Sequence, residues 1–259
     1  MIPLDATLGV DGLPQSATGQ TTLLTGVNAA AALGRHVVGF PTARLREIIR
    51  AENVFRKLID RRKTVTFANA YFVEDTETVR RSPLQSVTTV ATLSALGTVR
   101  NRRAMERNEA VYHDFTRQAL RDRGYRGPLI SSQAAAEHLV HIAAGCHFTL
   151  FEHFQTDRVG HTGDPSLIRP VLTLFDRFMT ALLPLAAAAG ILVVLTSDHG
   201  NIEDIRAGGH TTNPVPLVAV GPRAEAFLDG PTSLVDVTPS LIRIIAPERA
   251  GTVPSPPST

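Results

Sequence analysis

Four segments of the chain have the hydrophobic pattern of β-strands. Residues 63–71 alternate between polar positions and β-branched or aromatic ones, as a half-buried strand does. Residues 191–197 form a continuous apolar run, which is typical of a strand buried on both faces of a parallel sheet. Two further strands are predicted at residues 147–154 and 216–221.

Helical patterns separate these strands. A loop leads into a small-residue helix within residues 16–33, with Gly34 as its C-cap, and Ser132 is predicted to cap a helix over residues 134–144. Further helices are predicted at residues 52–62, 164–189 and 235–245. Because helices alternate with strands, the sequence predicts an α/β fold with a mostly parallel central sheet flanked by helices.

Composition divides the chain into four parts. Residues 76–131 are polar, rich in arginine and mostly helical in pattern, so we interpret them as a small helical insertion or cap. Residues 1–75 are then the first part of the core, and residues 132–247 are the second part. The Pro/Ser-rich residues 248–259 are predicted to be a disordered tail.

Charge and cysteine content limit the partners and the cellular compartment that we expect for the protein. The net charge is only +2, and although residues 100–126 hold eight arginines, they lack the interleaved aromatic residues of a nucleic-acid surface. Cys146 is the only cysteine, so no intrachain disulfide can form. The first residues lack a signal-peptide pattern, and the longest apolar run, residues 181–195, is shorter than a membrane span. We expect a cytoplasmic protein that binds neither membrane nor nucleic acid.

Two aspartates and three histidines lie beside the ends of predicted strands. Asp157 and His161 follow the strand at 147–154, Asp198 and His199 follow the strand at 191–197, and His210 precedes the strand at 216–221. Ligands of parallel α/β sheets gather at the carboxyl ends of strands. Mixed carboxylate and imidazole donors suit Zn or Mn better than Mg or Ca. The five residues therefore predict a metal centre.

The motifs TDRVGHTG, TSDHGN and GGHTTNPVP, in this order, resemble the metal-binding half of the cofactor-independent phosphoglycerate mutases and phosphopentomutase-type enzymes. More broadly they resemble the alkaline phosphatase superfamily, over residues 1–35 and 132–247. The resemblance implies an alkaline phosphatase-like fold that binds two divalent metal ions, Mn or Zn. It implies that Asp157, His161 and His210 hold one ion. Asp198 and His199 would help to hold the second.

The same resemblance implies a nucleophile in the stretch LPQSATGQTTLLTG. Ser16 stands where the mutases carry a serine and where the sulfatases carry their modified residue. The sulfatase maturation pattern has proline and arginine where this chain has Thr18 and Gln20, so a sulfatase is not implied. The implied activity is metal-dependent phosphoryl transfer, by a phosphomutase or a phosphatase or phosphodiesterase, through phosphoserine at Ser16. Its substrate would be a small phosphorylated molecule.

One part of the family pattern is missing. The family has an apolar strand that ends in an aspartate ligand before the nucleophile, whereas Asp5 and Asp11 have the pattern of loop residues. Our hypothesis is that the chain is shortened at its N-terminus. The alternative function is therefore a catalytically impaired protein, or a truncated fragment, that keeps a partial metal site.

Arginines in the predicted insertion are a second kind of candidate. Arg80 and Arg81 are adjacent, and an arginine pair can bind a substrate phosphate through paired N–H groups. The alternative is an ordinary charge pair at a helix end. His113 and Asp114 are candidates to line a cap, with a helix surface as the alternative. The substrate, the choice between mutase and hydrolase, and the oligomeric state stay open.

Overall fold

The structure, a computed structural model, describes residues 1–228 and 230–247, and the predicted tail at 248–259 lies outside the described residues. Strands and helices alternate along the chain, which confirms the α/β class. The strands are β1 (Ile2–Leu4), β2 (Val65–Phe67), β3 (Phe148–Leu150), β4 (Val193–Leu195) and β5 (Val215–Val220). The helices are α1 (Ser16–Thr25), α2 (Ala29–Leu33), α3 (Ala43–Glu52), α4 (Val54–Ile59), α5 (Thr76–Arg80), α6 (Val87–Leu96), α7 (Arg102–Glu106), α8 (Ser132–Ala144), α9 (Gln155–Gly160), α10 (Pro165–Ala188) and α11 (Val237–Ile245).

The strands form two small sheets. β2 and β3 pair in parallel, from Val65 opposite Phe148 to Phe67 opposite Leu150. β5 lies between β1 and β4 and is antiparallel to both. Among the strands of the described residues, parallel pairing is thus confirmed for β2 and β3 alone. A parallel neighbour of β4 would need a crossover connection, usually a helix, and residues 196–214 between β4 and β5 contain none. β5 therefore pairs with β4 in the antiparallel direction.

Local capping sets the ends of several helices. The small-residue helix predicted within residues 16–33 is two helices, because Gly26 adopts a left-handed conformation with φ 73° and ends α1. α8 is capped by Ser131, whose hydroxyl accepts from the Ala134 N–H, and not by Ser132 as predicted. Asn53 caps α4 by accepting from the Arg56 N–H, so the predicted helix over 52–62 begins later.

Three of the five apolar clusters among the described residues join the strands to the longer helices. The first joins α1, α3, α4 and α6 to β2, the second joins β1 and β5 to α11, and the third lies between α8 and α10. α6 belongs to the predicted insertion, yet its residues Val87 and Val90 are buried in the first cluster beside Leu45. The division of the chain into an insertion and two core parts stays a prediction.

α10 is the longest helix of the described residues. By length and composition alone it could cross a membrane. Phe178 and Leu182 are buried in the third cluster, where α10 packs against α8. Its N-cap, Asp164, accepts from the Ser166 N–H directly after the loop that carries His161.

Candidate metal centre

Three of the five predicted ligands form a compact group. α9 follows β3 closely and carries Asp157, and His161 at its C-cap lies four residues later on the same face. One ligand atom from each of Asp157, His161 and His210 lies within 4.8 Å of the other two. The carboxylate oxygen Oδ1 of Asp157 is 3.4 Å from Nε2 of His161 and 3.4 Å from Nε2 of His210.

The other two predicted ligands adjoin this group. The His199 ring stacks on the His210 ring with centroids 3.7 Å apart, and its Nε2 lies 3.8 Å from Asp157 Oδ1. Nε2 is also 3.6 Å from Oδ2 of Asp198, an oxygen that is buried and has no hydrogen-bond partner. The loops after β3 and β4 therefore bring all five predicted residues to one site.

Ser16 lies at the same site. It is the first residue of α1, and its Oγ is 3.0 Å from Nε2 of His199. His199 Nδ1 lies 3.3 Å from the carbonyl oxygen of Gly200, which assigns the ring proton to Nδ1. The Ser16 hydroxyl then donates to Nε2. This contact joins residues 183 positions apart in the sequence.

The surroundings of His210 fit a metal ion. Its Nδ1 donates to the carbonyl oxygen of Pro14 at 2.7 Å, so Nε2 of the neutral ring carries a lone pair. That buried Nε2 has no hydrogen-bond partner, and it faces a carboxylate oxygen of Asp157, which also can only accept. Two acceptors that face each other fit a cation between them. A histidine that donates its second ring N–H to a backbone carbonyl is the usual arrangement of a metal ligand.

The electrostatics of the metal-free site follow from these contacts. Burial alone would raise the pKa of Asp157, but its contact with His210 and the charges of His199 and His161 lower it. Burial alone would lower the pKa of His210, but the adjacent Asp157 carboxylate and the hydrogen bond to Pro14 raise it. Burial raises the pKa of Asp198. Without a metal ion, His210 therefore has a higher pKa than a histidine side chain in water.

Asn201, which the sequence analysis missed, supports the ligand group. Its Nδ2 donates to Oδ1 of Asp157 at 2.9 Å, and its backbone N–H donates to Glu203. Glu203 also accepts from Thr211 and from the Asn213 side chain, so it fastens the loop that carries His210. Asn201 lies within the motif TSDHGN, which is a signal that could have found it.

Glu152 and Gln20 were also missed. The pKa of Glu152 is raised to about 7, because burial and the charge of Asp198 raise it more than the hydrogen bonds with Thr88 and Gln20 lower it. The Thr88 hydroxyl donates to Oε2 of Glu152 at 2.8 Å. Gln20, one turn after Ser16 on α1, also lowers the pKa of Asp198. Glu152 stands within the apolar pattern of a predicted strand, and this was the signal in the sequence that could have found it.

The predicted arginine pair makes local contacts. Both Arg80 and Arg81 form ion pairs with Glu77 on α5, and Arg80 donates to the carbonyl oxygen of Gly97. These contacts support the charge-pair alternative. Asp114, a candidate to line a cap, accepts from backbone N–H groups of its own loop, including those of Thr116 and Arg117. His113, the other cap candidate, stacks on the Phe154 ring at the start of α9.

A match to a known protein family covers the ligand motifs. Residues 127–248 match the model of the Metalloenzyme superfamily. The matched residues include Asp157, His161, Asp198, His199 and His210, whereas Ser16 lies outside them.

Curated relatives that this chain matches are named 2,3-bisphosphoglycerate-independent phosphoglycerate mutases. The protein of Cereibacter sphaeroides strain ATCC 17029 is 34% identical over 126 residues, which are 46% of this chain and 25% of the relative. The Dinoroseobacter shibae protein is 32% identical over 126 residues, with the same coverage. This chain thus spans about a quarter of the length of the curated relatives it matches. The predicted resemblance to the cofactor-independent phosphoglycerate mutases is confirmed.

Solved structures give more distant matches. The PH0037 protein from Pyrococcus horikoshii is 16% identical with a TM-score of 0.48, over 75% of this chain and 52% of that one. Phosphoglycerate mutase from Leishmania mexicana is 21% identical with a TM-score of 0.37, over 47% of this chain and 27% of that one.

Proposed function

We propose that this protein catalyses metal-dependent phosphoryl transfer, as a phosphomutase or as a phosphoric-ester hydrolase, through phosphoserine at Ser16. The observation that carries the proposal is the 3.0 Å contact between Ser16 Oγ and His199 Nε2 beside the group of Asp157, His161 and His210. The name of the curated relatives, phosphoglycerate mutase, supports the same class of chemistry and a small phosphorylated substrate.

The donor set suggests where metal ions would bind. Asp157, His161 and His210 would hold one ion, and Asp198, His199 and Ser16 would contribute to a second. Carboxylate oxygen and imidazole nitrogen favour Mn or Zn. When bound, such an ion lowers the pKa of a hydroxyl and stabilises charge on phosphoryl oxygens.

Ser16 would act as the nucleophile. A bond forms between its Oγ and phosphorus while the ester P–O bond breaks; the Ser16 hydroxyl gives up its proton, and the ester oxygen gains one and becomes an alcohol. In a hydrolase the alcohol leaves and water takes the phosphoryl group, whereas in a mutase the alcohol stays bound and its second hydroxyl takes the group. Because Ser16 is the first residue of α1, the transferred group would lie at a helix N-terminus, where backbone N–H groups favour negative charge.

The test is trapping of the covalent intermediate. Protein loaded with manganese is mixed with a phosphate monoester, quenched in acid, digested and analysed by mass spectrometry for phosphorylated Ser16. We expect the modification in the wild type and in Ser94→Ala, a control serine that bonds to its own helix at Ala91. Ser16→Ala should lose both the modification and turnover. Undiminished turnover by Ser16→Ala would show that another group performs the chemistry.

A second candidate is a catalytically impaired protein, or a fragment, that keeps a partial metal site. Two observations favour it. Within the described residues, β3 pairs only with β2 and β4 pairs only with β5, so the strands that lead to the ligands each have a free edge. Asp198 also lies outside the preformed group of three ligands. One ion per chain and no turnover would support this candidate over the enzyme.

The cellular compartment is part of the same proposal. We place the protein in the cytoplasm, since its single cysteine, Cys146, allows no intrachain disulfide and fits a reducing compartment.

A further inference from the structure

We infer that a basic groove between α3, α5 and α6 is a binding site for a small organic dianion, namely a short-chain dicarboxylate. The groove has a volume of about 180 Å³. It is lined by two arginines, two uncharged polar residues and two apolar residues, namely Arg50, Arg80, Gln85, Ser94, Val90 and Leu93. None of these residues is a candidate metal ligand, so the groove is separate from the proposed centre of phosphoryl transfer.

The arginines of the groove carry more positive charge than nearby carboxylates balance. Neither Arg50 nor Arg46, one turn earlier on the same face of α3, has a carboxylate within 4.0 Å in the described part of the chain. Arg80 shares the carboxylate of Glu77 with Arg81, at nitrogen–oxygen distances of 3.4 and 3.1 Å. Like charges four residues apart on a helix repel each other, and a bound anion would relieve this repulsion.

Hydrogen bonds fix the polar walls of the groove. The Gln85 side chain accepts from Nη1 of Arg46 at 3.1 Å, and its Nε2 donates to the carbonyl oxygen of Arg80 at 2.9 Å. Nη2 of Arg56 donates to the carbonyl oxygen of Ser94 at 3.2 Å. Two further guanidinium groups are thus held beside residues that line the groove, which adds to its attraction for an anion.

The apolar floor and the volume of the groove indicate the class of ligand. Val90 and Leu93 are only 3% and 9% exposed, and they suit a short carbon chain. Arg50 and Arg80 come from different helices, and guanidinium groups bind carboxylates through paired N–H groups. A cavity of roughly 150 Å³ holds benzene, so this groove suits roughly seven or eight heavy atoms. A dicarboxylate of four carbons has this size and one acidic group for each arginine.

The groove lies on a different face of α6 from the side chain that contacts the metal-binding region. The Thr88 hydroxyl on α6 donates to Oε2 of Glu152, in the segment that leads from β3 to the metal ligands. Val90 and Leu93 stand about 200° and about 140° around the helix from Thr88. A dianion in the groove would therefore bind apart from a phosphate at the metal centre.

The experiment is an NMR titration of the full chain, loaded with diamagnetic zinc and labelled with ¹³C on its valine and leucine methyl groups. The probes are succinate and butyrate, which has a methyl group in place of one carboxylate. Succinate should shift the Val90 and Leu93 signals to saturation and bind about tenfold more tightly than butyrate, which lacks one charge-assisted hydrogen bond. Arg50→Gln and Arg80→Gln replace exposed side chains, and each should weaken succinate binding about tenfold.

Arg44→Gln is the matched control. Arg44 is exposed on α3, pairs with Glu47 at 3.0 Å and stands about 200° around the helix from Arg46. This variant changes the net charge by the same amount and should keep the succinate affinity of the wild type. Equal weakening in all three variants would show non-specific attraction to positive charge and would overturn the site.

Two results in the wild type would also overturn the inference. One is the absence of succinate-dependent shifts at Val90 and Leu93. The other is tighter binding of inorganic phosphate than of succinate in the groove, because phosphate has no carbon chain to cover the apolar floor. Each of these results leaves the proposed phosphoryl transfer standing, since that proposal is tested by trapping at Ser16.

Discussion

The close approach of α1 to the loop after β4 makes Gly19 a test of how the site is assembled. Gly19 lies one turn after Ser16 and packs against the backbone of Asp198. A Cβ at this position would overlap the Asp198 carbonyl oxygen and lie 3.2 Å from its carbonyl carbon. Gly19→Ala should therefore push α1 away from the residues that contact Ser16.

The expected displacement is about 1 Å, because carbon and oxygen atoms normally approach to about 3.3–3.6 Å. Overpacking of this kind costs about 1–3 kcal/mol, and the higher helix propensity of alanine returns about 1 kcal/mol. The net loss of folding stability should be about 1 kcal/mol. The effect on the site should be larger, since a shift of about 1 Å in a reacting group can cost about a hundredfold in rate.

The assays are urea unfolding and turnover of a phosphate monoester by manganese-loaded protein. Gly145→Ala is the control, because a Cβ there would meet only the Ile142 carbonyl oxygen at an ordinary 3.7 Å. We expect Gly19→Ala to lose turnover strongly with a small loss of stability, and Gly145→Ala to retain both. Wild-type turnover by a folded Gly19→Ala protein would refute the tight contact between α1 and the Asp198 loop.

Two further predictions concern pH in the metal-free protein. The pKa of Glu152 is raised to about 7, mainly by burial, so the wild type loses stability as pH rises from about 4.5 through about 7. Glu152→Gln, which cannot ionise, should be about 3 kcal/mol more stable near pH 8 and equal near pH 4 in urea unfolding. Equal stability of both proteins at both pH values would show that this carboxyl is not buried. The raised pKa of His210 stabilises the metal-free fold below about pH 6.5, and this stability is lost as pH rises through the pKa that His210 has in the folded protein. Manganese affinity should rise over the same range, because His210 must lose its proton to bind the ion. His210→Gln should lack this part of the decline in urea unfolding, and an identical pH profile in the variant would contradict the assignment.

The sequence could place the five candidate ligands near each other because strand ends and helix turns are local features. Asp157 and His161 are four residues apart on a helix turn, and Asp198 and His199 directly follow a buried strand, so strand ends placed them near each other. The contact of Ser16 with His199 depends on packing between α1 and a loop 183 residues away, and only the family resemblance indicated it.

Other features depend on tertiary contacts that no local pattern contains. β5 has an ordinary strand pattern, and its antiparallel direction follows from the course of the chain after β4. The role of Arg80 was left open by the sequence because an arginine pair can serve a phosphate or a glutamate, and here it pairs with Glu77.

The most direct test of a metal-dependent centre is the number of metal ions bound per folded chain. Wild-type protein and the His210→Ala variant would be equilibrated with manganese, freed of excess metal and measured by elemental analysis together with protein concentration. We predict about two ions per chain for the wild type and the loss of at least one in the variant. No bound metal in the folded wild-type chain would contradict the account.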